Sequence, residues 1–277
     1  MIATIQIAGL TIGTYASGYL IRKLSGFSFP EVDVEVKERG NYQGARLGGY
    51  RYSRRLMSID LQIVGSDTSD FETKRTAIEK ALTLINGLQT VTFTTKAGVV
   101  VTAECIVNSK FEAPYESGRA IISDAQIQLV APFPYFLGSS ESTTVPKATG
   151  GGFAIPFGIP LDMSGGGSGA TTILNDGNGA SYPTITIYGK AENPSLYNET
   201  SGKVLSISYT LLTISDNIVL DFYNRTAVLN NTTNVKQYVS GDWWTLLAGN
   251  NVVKLTTGNA LDIGYADVVF NDSYLGL

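Results

Sequence analysis

The sequence predicts a mainly β protein in two parts: an N-terminal α+β domain built of strands with one helix, and a C-terminal antiparallel all-β domain, sandwiches or barrels in both cases. Three observations carry this. Apolar and polar residues alternate over short runs in both halves, the period-two signature of half-buried strands. One run, beginning at Ser69, has helical spacing instead. Between the halves, Gly138–Gly152 is a Ser/Thr/Gly stretch without hydrophobic periodicity, and charge changes across it. Residues 1–140 hold 14 Lys+Arg and 13 Asp+Glu, a net +1; residues 141–277 hold 6 and 11, a net −5. The expected organisation is a domain over 1–140, a linker over 141–152 and a second domain over 153–277. With 277 residues, each domain can bury its own core.

Along the chain, Leu56–Val64 places Met57, Ile59, Leu61 and Ile63 on one face and Ser58, Asp60 and Gln62 on the other. Ser69 and Glu72 then form a Ser-x-x-Glu capping box. Phe71, Ile78, Leu82 and Ile85 line one face of a helix of roughly 16 to 18 residues. Asp70 and Glu72 suit the positive end of its dipole, and Gly87 supplies a stop. Thr90–Thr94 and Asp124–Leu129 return to period two, as do Thr184–Ile187 and Val204–Tyr209 in the second half. Gly165–Gly169 reads as a loop, because no Gly-Lys-Ser/Thr and helix follow it to make a phosphate cradle.

Composition excludes much chemistry. With no histidine, Ser-His-Asp and Cys-His catalysis, histidine metal triads and the usual base near neutrality are gone. Carboxylate pairs, lysine nucleophiles and all-oxygen metal sites survive. A net charge of −4 argues against nucleic acid as a partner. No apolar run approaches 18 residues, and Met1–Leu10 lacks a basic n-region, so neither membrane anchor nor signal peptide is expected. Cys105 stands alone and reads as a small buried strand residue.

The candidate carboxylates Asp216, Asp221, Asp242, Asp262 and Asp267 mostly adjoin Asn, Gly or Ser, the company of turn acids. Asn175–Gly179 lacks the alternating acids of a calcium loop, and the sequons at Asn198, Asn224, Asn230, Asn231 and Asn271 read as composition. No catalytic residue, metal or cofactor is expected. Trp243 and Trp244, with Tyr223, are candidate glycan contacts; in an extended segment adjacent Trp side chains face opposite ways, so at most one is core. The basic-aromatic run containing Arg46, Arg51, Arg54 and Arg55 follows an acidic one containing Glu31, Asp33 and Glu35. Segments of opposite sign suggest surfaces that meet identical neighbours head to tail. An ordinary solvated surface stands beside that reading, and a nucleic-acid patch behind both.

A resemblance spans nearly the whole chain. Val32-Asp-Val-Glu-Val36, then Gly40 to Gly49, Tyr52-Ser-Arg-Arg-Leu-Met-Ser-Ile-Asp-Leu-Gln-Ile-Val-Gly65 and the capped helix resemble the N-terminal domain of the siphophage distal tail protein family. Ala131-Pro-Phe-Pro-Tyr-Phe-Leu-Gly138 is similar to the stretch where that family's first domain ends. Tyr188–Asn198, Asp221–Val228 and Gly241–Val252 resemble its galectin-like or carbohydrate-module-like sandwich, with Ala248 where proline before glycine is usual. The resemblance implies a split-barrel-like first domain and a non-enzymatic virion protein at the distal end of the tail, assembled in the host cytoplasm. It implies a homo-hexameric ring joining tail tube to tip. The partners implied are the tail tube protein, the tape measure protein and the tail-associated tip protein, with receptor-binding proteins as candidates. The alternative is a module that binds host cell-wall glycans.

Overall fold

A computed structural model describes residues 2–40, 42–84, 87–108, 111–114, 121–148, 169–259 and 261–277. The chain divides into two compact units, Met1–Gly138 with Tyr274–Leu277, and Ser139–Ser273. Both are built of antiparallel strands, and the described residues include one α-helix. The fold class is therefore the mainly β one that alternation predicts.

The first unit contains β1 (Ile2–Ile7), β2 (Leu10–Ile12), β3 (Tyr19–Ser25), β4 (Val32–Glu38), β5 (Ala45–Tyr52), β6 (Arg55–Val64), α1 (Thr68–Ala81), β7 (Gln89–Thr95), β8 (Val100–Val107), β9 (Ile122–Ala131) and the first residues of β10 (Phe136–Pro146). Seven strands pair in the order β3–β6–β9–β8–β7–β1–β2. The edge of β8 away from β7 is shared, by β9 at Ile106–Val107 and by β10 at Thr102, and there the sheet splits. The β6–β9 ladder sets Met57 opposite Leu129, Ile59 opposite Ile127 and Leu61 opposite Ala125, all buried. Phe27, Phe93 and Phe136 fill the middle of this core, with Phe71 and Ile78 of α1 packed on it. Cys105 is buried on β8, and burial pushes its thiol up to about 12, so it is unreactive.

The helix departs from expectation at both ends. Its N-cap is Asp67 and not Ser69: Asp67 Oδ1 accepts from Asp70 N (2.8 Å), and Asp70 Oδ2 accepts from Ser66 N (2.7 Å) and Lys74 Nζ (2.8 Å). A carboxylate two residues earlier satisfies the first-turn amides, so Ser69 falls inside the helix. The hydrogen bonds from Lys74 and Ser66 hold the Asp70 carboxyl below its usual range. The helix spans 14 residues and stops at Leu82, while Gly87 (φ +61°) closes a later turn on Leu84 O. Ile85 lies outside the described residues.

The second unit contains the rest of β10, then β11 (Ala170–Asn175), β12 (Thr184–Tyr188), β13 (Ala191–Glu192), β14 (Ser195–Asn198), β15 (Lys203–Ile207), β16 (Thr210–Leu211), β17 (Asn217–Asp221), β18 (Thr226–Leu229), β19 (Thr233–Asn234), β20 (Val239–Gly241), β21 (Gly249–Thr256) and β22 (Tyr265–Tyr274). One sheet runs β11–β21–β14–β15–β20 and the other β19–β18–β17–β12–β22–β10, with β13–β16 as a small pair. Leu196, Leu205, Val253 and Leu255 from the first sheet and Ile185, Ile187, Ile218, Leu220 and Val268 from the second form one core, which makes the unit a sandwich.

Two expectations about organisation change. Glu141–Pro146, expected as linker, belongs to β10: Val145 is buried and Thr144 Oγ1 donates to Asp267 Oδ1 (2.6 Å). Serines and threonines that lack hydrophobic periodicity still pair as a strand when a partner supplies the ladder. Residues 149–152, the start of the second domain at 153 and Gly165–Ser168 lie outside the described residues. Tyr274–Leu277, expected in the C-terminal domain, belong to the first unit, where Leu277 N donates to Phe27 O (2.9 Å).

Candidate assembly surface

The candidate charged residues converge on one element. The β4 and β5 strands pair only with each other, as an antiparallel ribbon in which every residue of β4 is exposed. Alternation sorts its faces. Val32, Val34 and Val36 stand opposite Tyr52, Tyr50 and Leu47, whereas Asp33, Glu35 and Lys37 stand opposite Arg51, Gly49 and Arg46. The register shifts between Glu35 and Val36, which leaves Gly48 as an extra residue. This bulge moves Leu47 from the parity of Gly49 and Arg51 onto the apolar face. Gly48 suits the place: a Cβ there would meet the Glu35 carboxyl at 3.0 Å.

The result is a two-faced ribbon in water. Val34 is 47% exposed, Leu47 58% and Tyr50 77%. On the charged face, Asp33 and Arg51, expected to meet across copies, pair within the ribbon: Arg51 Nε and Nη2 both lie 3.0 Å from Asp33 Oδ2. Their cross-strand register brings them together, and at this exposure the pair contributes little stability. Lys37 similarly reaches Glu35 (3.1 Å). Arg46, Arg54 and Glu31 are not buried. A cleft at the ribbon base is lined by Glu31, Asp33, Arg51, Tyr52, Arg54 and Leu56.

Arg55 does not belong to this surface, which corrects the expectation. It is 2% exposed. Its Nε donates to Pro134 O (2.9 Å), Nη1 to Gly26 O (2.9 Å) and Ser28 O (2.6 Å), and Nη2 to Leu275 O (2.7 Å). The guanidinium also lies over the Phe136 ring, 4.3 Å from its centroid. Ser53 N donates to Glu31 O (2.8 Å), and Phe29, Tyr52 and Tyr135 stack edge to face beneath the ribbon. Arg55 thus fastens the chain on both sides of the ribbon, at Gly26 and Ser28 before β4 and at β6 after β5. The apolar face was missed in reading the sequence, although the signal is there in Val32-Asp-Val-Glu-Val36 and Tyr50-Arg-Tyr52.

The other candidates separate. Trp244 is core, 1% exposed, its ring centroid 4.7 Å from that of Phe222; Trp243 is half-buried and packs edge to face on the same Phe222 (5.3 Å). Tyr223 is exposed and packs edge to face on Tyr182. Asp221 Oδ1 accepts from Tyr223 N and Asn224 N, and Asp216 Oδ2 from Leu212 N and Thr213 N, so both spend their carboxylates on their own turns. Asp262 Oδ2 accepts from Glu192 N, and Asp267 meets Thr144. Among the described residues no three acids or cysteines gather as a metal site.

Comparison with known proteins bears on the C-terminal unit and on the fold. Residues 176–268 match the family of siphovirus-type tail components, C-terminal domain. No curated protein matches the sequence. Among solved structures, the SPP1 Dit (gp 19.1) protein, described as a paradigm of hub adsorption apparatus in phages infecting Gram-positive hosts, aligns with a TM-score of 0.68 over 98% of both chains at 16% identity. Chains of the phage P2 baseplate in its activated conformation align at a TM-score of 0.45 and 10% identity, over 94% of this chain and 92% of the other with Ca, and over 96% of both with Sr. The shared fold rests on the first of these.

Proposed function

We propose that this chain, a siphophage distal tail component by the family match of its C-terminal unit and by its fold, works as a ring-forming structural adaptor at the distal end of the tail. The carrying observation is the β4–β5 ribbon. A two-stranded hairpin is marginal alone in water, and an apolar face on one is a liability unless something covers it. A second copy is the occupant this reading favours. Repeated about a closed symmetry axis, each ribbon lies on its neighbour, and the acidic and basic residues of the other face fix the orientation. Covering the face removes on the order of 400 Å² of apolar surface, about 10 kcal/mol gross before association costs.

The ring is a hexamer in this reading. It joins tail tube to tip, with the tail tube, tape measure and tail-associated tip proteins as neighbours, and the chain performs no catalysis. Arg46, Arg51, Arg54, Glu31, Asp33 and Glu35 serve as contact or orienting residues. The test is the double variant Val34→Asp with Tyr50→Asp. Both side chains are exposed, so the circular dichroism spectrum should be unchanged while the assembled species disappears from size-exclusion light scattering. An unchanged mass distribution would remove the ribbon from the assembly.

A further inference from the structure

We infer that the C-terminal unit carries a second, separate docking surface, an aliphatic tip that takes an apolar protein segment flanked by basic residues. The observations begin with topology. Tyr188, at the end of β12, pairs with Asn217 at the start of β17 and with Tyr265 at the start of β22, so three strand ends meet at one end of the sandwich. Two loops emerge there, one leading from β16 into β17 and one joining β21 to β22. Between them runs the segment Gly189–Glu192, with Ala191 opposite Leu211 on one side and Lys190 O accepting from Gly264 N (3.1 Å) on the other.

These loops expose four aliphatic side chains: Leu212 (73%), Ile214 (74%), Leu261 (84%) and Ile263 (66%). Beside them Tyr265, 42% exposed, stacks on Tyr188 with centroids 5.3 Å apart. Two acids bond backbone and side-chain groups of the loops and their neighbours, while Thr213 and Ser215 stay exposed. Asp216 Oδ2 accepts from Leu212 N (3.1 Å) and Thr213 N (2.9 Å), and its Oδ1 from Asn230 Nδ2 (3.1 Å). Asp262 Oδ2 accepts from Glu192 N (2.7 Å), and Lys147 Nζ donates to Asn259 O (3.1 Å) and Asp262 O (2.7 Å). Hydrogen bonds to Asp216 and Asp262 brace the described parts of both loops and leave the aliphatic groups outside, which lowers the ordering cost of covering them.

Charge and size identify the occupant. At the tip Glu192, Asp216 and Asp262 stand against Lys147 and Lys190, an excess of one negative charge, and residues 139–273 carry 6 basic and 11 acidic residues. An anionic bilayer is repelled by that field, and so is a second copy of the same tip; a partner with basic flanks is attracted. The four side chains present on the order of 500 Å² of apolar surface, more than isolated surface residues do and less than the roughly 800 Å² one partner of a standard interface buries. That is the size for one strand or helix face.

The test uses the full chain and a labelled synthetic amphipathic helix of Leu and Lys, followed by fluorescence anisotropy, with a Leu/Glu helix and phosphatidylcholine vesicles with and without phosphatidylglycerol as the other arms. The chain should bind the Leu/Lys helix about tenfold or more tightly than the Leu/Glu helix, and Ile214→Ser with Ile263→Ser should weaken that binding by about tenfold or more. Both substituted positions are exposed, and an unchanged melting temperature verifies folding. Affinity for the Leu/Lys helix that the double variant leaves unchanged would overturn the proposal. Vesicle binding, or self-association, that the same variant abolishes would overturn it in favour of a lipid surface or a second copy.

Discussion

Replacing Arg55 with methionine tests how the ribbon is held. The substitution keeps most of the side-chain volume, so the cavity term is small. It removes the donors to four carbonyls, those of Pro134, Gly26, Ser28 and Leu275, at a site only 2% exposed where water does not replace them. At about 1 kcal/mol for each orphaned carbonyl the loss is about 4 kcal/mol, and the contact over Phe136 adds about 1. Against this stands the cost of burying the guanidinium, which pulls its pKa down to about 10 yet leaves it charged at neutral pH. Relief of that cost returns about 2 kcal/mol, so the net destabilisation is about 3 kcal/mol, a fall in melting temperature of about 10 °C for a unit of this size. Both tryptophans, Trp243 and Trp244, lie in the second unit. Tryptophan fluorescence therefore reports that unit alone, while calorimetry follows the transitions of both units. The calorimetric transition of the first unit should move down and the tryptophan midpoint should stay. A first-unit shift below about 2 °C would refute the claim that Arg55 fastens the ribbon base.

Other outcomes follow from single residues. Trp244→Ala should cost about 3 to 5 kcal/mol in a urea titration because the ring is core, whereas Tyr223→Ala should leave stability within about 0.5 kcal/mol. Tyr223→Ala is accordingly the substitution that tests glycan contact, by calorimetry against wall polysaccharide: lost binding would support the carbohydrate reading. Gly26→Ala puts a Cβ 1.9 Å from Leu56 O at φ +83° and should prevent normal folding, while Gly9→Ala, at φ +82° in open space, should cost only about 1 to 2 kcal/mol. Soluble expression and melting temperature separate the two. Asp70 has its folded pKa held below the unfolded value, so it contributes stability above about pH 4 that is lost as pH falls through the folded value. Urea midpoints of Asp70→Asn should therefore fall less steeply with acid than those of the parent.

Short-range physics explains which features could be read in advance. The buried faces of β6, β7, β9, β12 and β15 were legible because alternation alone decides them, as in Met57, Ile59, Leu61 and Ile63. The apolar face of the ribbon was obscured by a bulge: Leu47 changes side only because Gly48 is extra, and cross-strand register is not visible in one strand. Arg55 was grouped with exposed arginines because its partners lie at Gly26, Pro134 and Leu275, far apart in sequence. The helix start moved because Asp67 and Ser69 are both good caps, and the choice rests on geometry. In β10, Ser and Thr residues pair through a strand contributed from Tyr265 to Tyr274, which local composition does not announce. Of Trp243 and Trp244 at most one is expected as core, and Trp244 is that one; Trp243 is half-buried and not exposed, because it too packs on Phe222.

The central claim is that this chain assembles as a ring through its first unit. The measurement that tests it most directly is the solution mass of the purified full chain by light scattering over a wide concentration range, with negative-stain images of the same fractions. The account predicts a species of about six times 29.6 kDa with annular particles. A monomer at every concentration would contradict it.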